Sequence, residues 1–335
     1  MAIAASGAVS FSDLRTEFVG GSAAISYSDL YRGGSNIRAK AANNTGVNLA
    51  ASVPTSGTIN IANFRSQAKG FRFTYTSGAT NQNASALFGD DYAVDYPKEI
   101  VINNGVELGA TSTSEEALQI DTGASGTITI TNNGTLSGAG GAAGSAGGDA
   151  FEADIACTLI NNGTIRAGGG GGGTGGGGQY STSSSSSAYN WPYGTRYAWA
   201  DHWYGAFRFV VWANSFYYST SSGNQSFAKS GSQQDYDNTY EARMYTVTRT
   251  VTSTTNTNGG AGGVGQGYNQ SAGSGVGGGT NAGTGGSGAS FGSAGSTGVN
   301  GNRTNGVAGG AAGNYIRGLS FVTLTQSGTV QGGTA

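Results

Sequence analysis

The sequence predicts a mainly β fold carrying a bundle of glycine-rich polyproline-II helices, with a small N-terminal module of α/β-type repeats. Three observations predict it. Runs of alternating apolar and polar residues recur in the middle of the chain, three of them closing on the same Asn-Asn-Gly phrase. Glycine, 63 of the 335 residues, falls at every third position in separate blocks. A short phrase near the start appears three times. The expected divisions are an N-terminal module over 1–70, a β-rich domain over 71–136 and a glycine-rich scaffold over 137–335, the last interrupted by an aromatic-rich insertion at 180–257.

The N-terminal phrase is VSFSDLRTEF at 9–18, echoed by ISYSDLYRGG at 25–34 and more loosely by INIANFRS at 59–66. Each begins extended and continues with a helix-start signal. Ser12 and Ser28 are the expected caps of short helices, with Asp13 and Asp29 favourable at the positive end. Leu14 with Phe18, and Leu30 with Tyr27, then face a small core. Three such units in seventy residues bury little surface, so docking onto a neighbour is the natural supplement. Phe11, Leu14, Phe18, Tyr27, Leu30, Tyr31 and Phe64 are the candidate attachment and assembly residues.

Residues 71–76 and 127–131 alternate as half-buried strands do. The phrases IVINNGVEL at 100–108, ITITNNGTL at 128–136 and TLINNGTI at 158–165 repeat, and FVTLTQSGTV at 321–330 is a degenerate copy. Asn-Gly between alternating runs is a strong hairpin signal, because both residues tolerate positive φ. The glycines at 105, 134 and 163 are evenly spaced, and a period of that size indicates stacked units.

In the glycine blocks the spacing carries more than the count. Gly138, Gly141, Gly144 and Gly147 keep a period of three, as do Gly169, Gly172, Gly175 and Gly178, and Gly259, Gly262 and Gly265. Gly283, Gly286, Gly292, Gly295, Gly298 and Gly301 continue it, with Ala289 in the missing place. Three residues per turn is the polyproline-II repeat, which has no internal hydrogen bonds. A glycine stripe lets such helices approach closely and bond to each other. The glycines at 138, 141, 144, 169, 172, 175, 283, 286, 292, 295 and 298 are therefore the candidate scaffold positions. A flexible Gly/Ser linker is the alternative. The block structure counts against it, as does the presence of a single charge, Arg303, between residues 251 and 316.

The insertion holds all four tryptophans. Candidate contact residues there are Tyr189, Trp191, Tyr193, Tyr197, Trp199, Trp203, Tyr204, Trp212, Tyr217 and Tyr218. Aromatic, Ser- and Asn-rich segments on rigid scaffolds give contact area at low entropic cost. Their other use is as the core of an inserted β domain, and both uses are expected. Residues 245–251 alternate as a strand.

Composition excludes several classes. Collagen needs glycine at one third with abundant proline, and there are three prolines. Sixteen scattered basic residues against eighteen acidic ones make no basic stripe, so no nucleic-acid partner is expected. One cysteine, Cys157, precludes an intramolecular disulfide. No apolar run reaches a membrane span, and the start lacks the basic and apolar parts of a signal peptide, so synthesis in a cytoplasm is expected. No catalytic motif survives, and no metal or cofactor is expected. With one histidine, His202, an intrachain His/Cys zinc site is not available. The carboxylates Asp90, Asp91, Asp95, Glu115 and Glu116 read as a solvated turn or calcium loop before they read as a hydrolytic pair.

The three N-terminal phrases, in that order, resemble a module of tail and fibre proteins of tailed bacteriophages, including marine and cyanobacterial ones. The Asn-Asn-Gly-Thr-Ile phrase running into glycine over 161–173 is similar to the glycine-rich receptor-binding tip of T-even-like long-fibre adhesins. That resemblance implies a virion tail component, a fibre-tip or tail-tip adhesin without enzymatic activity. Its partners would be other tail proteins and a host-surface glycan or outer-membrane protein, with a homotrimer as one possible assembly. Those adhesins bind through loops projecting between glycine-rich segments, and residues 180–257 occupy the matching place in one long loop. The alternatives are a structural fibre connector or baseplate protein and a polysaccharide depolymerase.

Overall fold

The structure is a computed structural model that describes residues 3–20, 24–194, 197–200, 207–209, 215–220, 223–236 and 242–335, with side chains described outside 185–250. The fold is mainly β with parallel sheets, and the described residues include two short α-helices, Phe11–Leu14 and Ala84–Phe88. Two compact units are present. One comprises 1–177 with 258–335, the other 178–257.

In the first unit the chain winds as a three-sided coil. Its five turns place Phe71–Tyr75, Lys98–Ile102, Ile128–Asn132, Cys157–Asn161 and Val322–Gln326 side by side on one face. A second face stacks Ala79–Thr80, Glu107–Gly109, Thr135–Ser137, Thr164–Arg166 and Thr329–Gln331. The third stacks Gln82–Asn83, Leu118–Ile120, Phe151–Ala153, Asn314–Arg317 and Gly333–Thr334. Neighbouring strands of successive turns are parallel throughout. The period-two pattern explains the interior. Ile100, Ile130 and Leu159 point inward from the first face, Leu108, Leu136 and Ile165 from the second, and Leu118, Phe151 and Ile316 from the third, all fully buried. Each such side chain removed from water contributes about 1.5–3 kcal/mol.

The Asn-Gly phrases are therefore not hairpins. The strand before each pairs with its counterparts in adjacent turns, and the strand after it belongs to a different face. Glycine is needed at 134 and 163 because the turns stack. A Cβ on Gly163 would lie 2.0 Å from the carbonyl oxygen of Gly134, and one on Gly328 would lie 2.0 Å from that of Gly163. The asparagine before each pair is buried and bonded along the stack. Asn132 Nδ2 donates to Asn161 Oδ1 at 2.7 Å, and Asn162 Nδ2 to Asn133 Oδ1 at 2.9 Å. Gly105 does not share this role. Ile102 aligns with Asn132 and Glu107 with Thr135, so the turn at 103–106 is two residues longer than its successor.

The N-terminal module keeps its three-fold repetition but not the expected caps. Ser10, Ser26 and Asn60 are the N-caps, each in a reciprocal capping box with Asp13, Asp29 or Asn63. The Asp13 carboxyl, accepting from the backbone and hydroxyl of Ser10, is held below the ordinary carboxylate range. Phe11 and Tyr27 already lie in the first turn, where the alternation of Val9, Ser10 and Phe11 reads as extended chain. Leu14, Phe18, Leu30 and Phe64 meet in one buried cluster.

Asp91 overturns the expectation of a solvated acidic turn or calcium loop. It is fully buried and accepts from Arg38 Nε at 2.9 Å, Ala41 N at 2.7 Å and Asn44 Nδ2 at 2.9 Å. Lys98, also buried, donates to the carbonyls of Val94, Tyr96 and Ser125 at 2.6–2.9 Å and so pins the loop preceding its strand.

The glycine blocks leave the coil between its second and third faces. Residues 167–177, neither helix nor strand, form a hub. Every third residue bonds the same neighbour. Gly169, Gly172 and Gly175 donate to Gln266, Gly263 and Gly260, each at 2.8 Å, while Gly170, Gly173 and Gly176 donate to Ser293, Ser296 and Val299. Gly168 and Gly171 donate to Gly148 and Ser145. The hub accepts from Gly141 and Gly144, from Gly283, Gly286 and Ala289, and from Val307, Gly310 and Gly313. These six surrounding stretches also bond to one another in a closed ring, as in Gly265 to Gly141, Gly263 to Gly286, Ser296 to Ser287, Gly298 to Val307, Gly147 to Ala311 and Gly148 to Ala139. A linker would leave these groups to water.

The second unit is an antiparallel sheet. Gly178–Gly194 and Ala242–Thr257 pair over most of their length, from Gly178 with Thr257 to Tyr193 with Arg243. Gly223–Tyr236 and Ser215–Thr220 extend the sheet on one side, Tyr197–Ala200 and Phe207–Phe209 on the other. The strand expected at 245–251 lies within Ala242–Thr257.

Candidate receptor-binding surface

The base of the glycine bundle is fixed to the outer face of the coil by two rings. The Tyr268 ring covers Gly109, where an added Cβ would meet ring carbons at 2.0–2.4 Å. The Phe291 ring stacks on the Arg166 guanidinium, 3.9 Å from its centroid. Arg166 in turn bonds Ser137 Oγ and Glu107 Oε1, both at 2.8 Å. A bare glycine and a neutralised arginine thus receive the aromatic side chains of two bundle turns, at a cation–π gain of ~0.5–2 kcal/mol.

A second joint lies where the bundle returns to the third face. Arg317 Nη2 meets Glu116 Oε1 at 2.8 Å and also contacts Glu152 Oε2, and Arg317 Nε lies 3.8 Å from Asp149 Oδ2. Asp149 Oδ1 accepts from Asn314 N at 2.6 Å. Three carboxylates share one cation. Burial, then the adjacent Glu152 charge, push the Glu116 carboxyl up to about 7, against the pull of Arg317. A carboxyl whose folded pKa exceeds its unfolded value binds its proton more tightly when folded. Its support for the fold is present at low pH and declines between about 4.5 and about 7. Glu116→Gln is expected to remove that decline, so that its thermal midpoint exceeds that of the unsubstituted protein at about pH 8 and converges with it near about pH 5. Calorimetry at the two pH values checks this.

At the other end of the bundle the connecting loops gather around residues 177 and 258. Gly279 N donates to Asn258 O, Asn302 N to Asn281 O, and both Arg303 N and Thr304 N to Gly177 O, at 3.0–3.1 Å. Residues 277–281 and 302–305 are exposed. This loop cluster was not singled out in the sequence. Its signals were the lone charge of the block, Arg303, and the asparagines at 281, 300, 302 and 305 scattered through the glycine-rich tract.

Of the aromatic candidates, Tyr189, Trp191 and Tyr193 lie on Gly178–Gly194, Tyr197 and Trp199 on Tyr197–Ala200, and Tyr217 and Tyr218 on Ser215–Thr220. Trp191 is registered with Tyr245. Their side chains lie outside those described, and Trp203, Tyr204 and Trp212 lie outside the described residues, as does His202. Among the attachment candidates, Leu14, Phe18, Leu30 and Phe64 build the interior of their own module. Phe11, 42% exposed, packs against Tyr27 at 4.7 Å between centroids, and Tyr31 Oη donates to Gly57 O. Of the scaffold glycines, Gly144 (φ +75°) and Gly292 (φ +67°) sit in left-handed turns. Gly138, Gly141, Gly169, Gly172, Gly175, Gly283, Gly286, Gly295 and Gly298 each face a neighbouring backbone carbonyl too closely for a Cβ, at 1.8–2.3 Å.

Residues 70–335, from the first turn of the coil onward, match the family model of the phage tail fibre adhesin Gp38. The chain belongs to the phage tail fibre adhesin Gp38 family. No curated protein and no solved structure matches it. The family consists of adhesins and not enzymes, and it places the protein at the tail fibre tip of a phage virion, where it recognises the host. The connector and depolymerase alternatives are thereby set aside. The N-terminal module precedes the matched region.

Proposed function

We propose that this Gp38-family adhesin contacts its host receptor through residues 178–257. The observation that carries the reading is that residues 178–257 form a compact unit of their own, interrupt the glycine bundle between Gly177 and Asn258, and hold all four tryptophans. The period-three hydrogen bonds of the hub support polyproline-II geometry for the glycine runs, a stiff mount with almost no side-chain core. In this reading residues 1–70 attach the chain to another fibre protein through Phe11, Tyr27 and Tyr31, residues 71–136 begin the coil, and residues 137–335 form the recognition scaffold. The receptor class is a surface glycan or an outer-membrane protein, both of which suit tyrosine- and tryptophan-rich contacts.

The test is phage carrying an in-frame deletion of residues 181–250. Particles should assemble with the adhesin present, and adsorption should fall to the level of fibre-less phage. Normal adsorption by such particles would refute the assignment of recognition to this segment.

A further inference from the structure

The chain contains six Asn-Gly pairs, and the fold treats them unequally. Asn-Gly is chemically reactive. The glycine nitrogen can attack the asparagine side-chain carbonyl carbon, forming a C–N bond and expelling the amide nitrogen as ammonia, with the proton lost by the glycine nitrogen. Water then opens the resulting succinimide at either carbonyl to leave aspartate or isoaspartate. The attack needs a glycine N–H that is not already engaged, an unrestrained side-chain amide and room for the turn to rearrange.

Four pairs fail the first requirement. Gly134 N is bonded to Asn132 Oδ1, Gly163 N to Asn132 O, Gly301 N to Thr304 O and Gly306 N to Asn300 Oδ1, all at 2.9–3.1 Å. In the coil the reactive side chains are held as well, Asn133 and Asn162 to each other and Asn162 to Ser327. Asn258-Gly259 fails the last requirement, since the glycine is wedged where a Cβ would lie 1.7 Å from the Gly175 carbonyl oxygen. Asn104-Gly105 meets all three. Both residues are exposed, and among the described residues neither the Asn104 amide nor the Gly105 N–H makes a hydrogen bond. Gly105 is at φ +77° with nothing within 4 Å of a Cβ position. The difference comes from the two extra residues of that turn: Asn103 N and Val106 O stay bonded to Tyr75 O and Thr135 N of the adjacent turns, while Asn104 and Gly105 form an exposed tip closed by Val106 N to Asn103 O at 3.1 Å.

We propose that Asn104 is a spontaneous deamidation site of the folded adhesin, converting to aspartate and isoaspartate while the other five Asn-Gly pairs are protected. The product adds a carboxylate to an exposed turn and, in the isoaspartate form, lengthens the backbone there by one methylene.

The experiment incubates the purified full chain at mildly alkaline pH and follows each Asn-Gly pair by peptide mass spectrometry, with isoaspartyl methyltransferase labelling as a second readout. In the native protein Asn104 should convert at least about tenfold faster than any other pair, the factor that a retained hydrogen bond of ~1.4 kcal/mol imposes. In denaturant the six rates should converge. Asn104→Gln should abolish the native signal while leaving the unfolding midpoint unchanged. Equal or faster native conversion at another pair would overturn the proposal. So would an inert Asn104 in a native chain whose denatured form reacts, or a native signal that persists in Asn104→Gln.

Discussion

Replacing Gly172 by alanine is expected to unfold the glycine bundle. The added methyl carbon would lie 1.9 Å from the carbonyl oxygen of Gly286 and 2.8 Å from the Ser287 carbonyl carbon, both of them backbone. Neither can swing aside as a flexible side chain would. Gly172 is buried, donates to Gly263 and accepts from Gly144, so displacing the hub strains three stretches at once. A loss of roughly 4 kcal/mol or more is expected, in the range reserved for severe overpacking combined with broken buried hydrogen bonds. Gly277→Ala is the matched control, because a Cβ there meets nothing within 4 Å. It should change stability by no more than about 0.5 kcal/mol. Thermal unfolding with limited proteolysis of the two variants checks both expectations.

Asp91→Ala should detach the N-terminal module from the coil. The carboxylate is fully buried and receives Arg38, the amide of Ala41 and the side chain of Asn44. Burial alone would raise its pKa, but the Ala41, Asn44 and Arg38 hydrogen bonds and the Arg38 charge outweigh it and hold the carboxyl low. Removing it strands the buried Asn44 amide, the half-buried Ala41 N–H and an arginine, at a cost of about 3–5 kcal/mol. The folded pKa lies below the unfolded one. The stabilisation is therefore present above the ordinary carboxylate pKa and is lost as pH falls through the folded value. Denaturant unfolding should show the loss at neutral pH, with the gap between variant and unsubstituted protein closing on acidification.

The parts of the fold that the sequence revealed are those governed by a local period. Glycine at every third residue marked the hub runs, and alternation marked the coil strands, because each pattern records which side of one element is covered. What covers them is not local. Hairpin and stacked coil both favour Asn-Asn-Gly, one for its tolerance of positive φ and the other because a Cβ on Gly163 would strike the turn beneath it. The evenly spaced glycines at 105, 134 and 163 looked equivalent, yet the register makes Gly105 an outlier with a longer turn. Asp91 read as solvated because its three donors come from residues about fifty positions earlier. The aromatic segment proposed to contact the receptor announced itself by composition. The short loops at 277–281 and 302–305 did not, since a few asparagines and one arginine are a faint signal inside a glycine tract.

The most direct test of the central claim is competition for adsorption. Purified full chain, added to host cells before the phage, should block adsorption by occupying receptors, and the chain lacking residues 181–250 but otherwise folded should not. Equal blocking by the two proteins would contradict the account and move recognition to another part of the molecule.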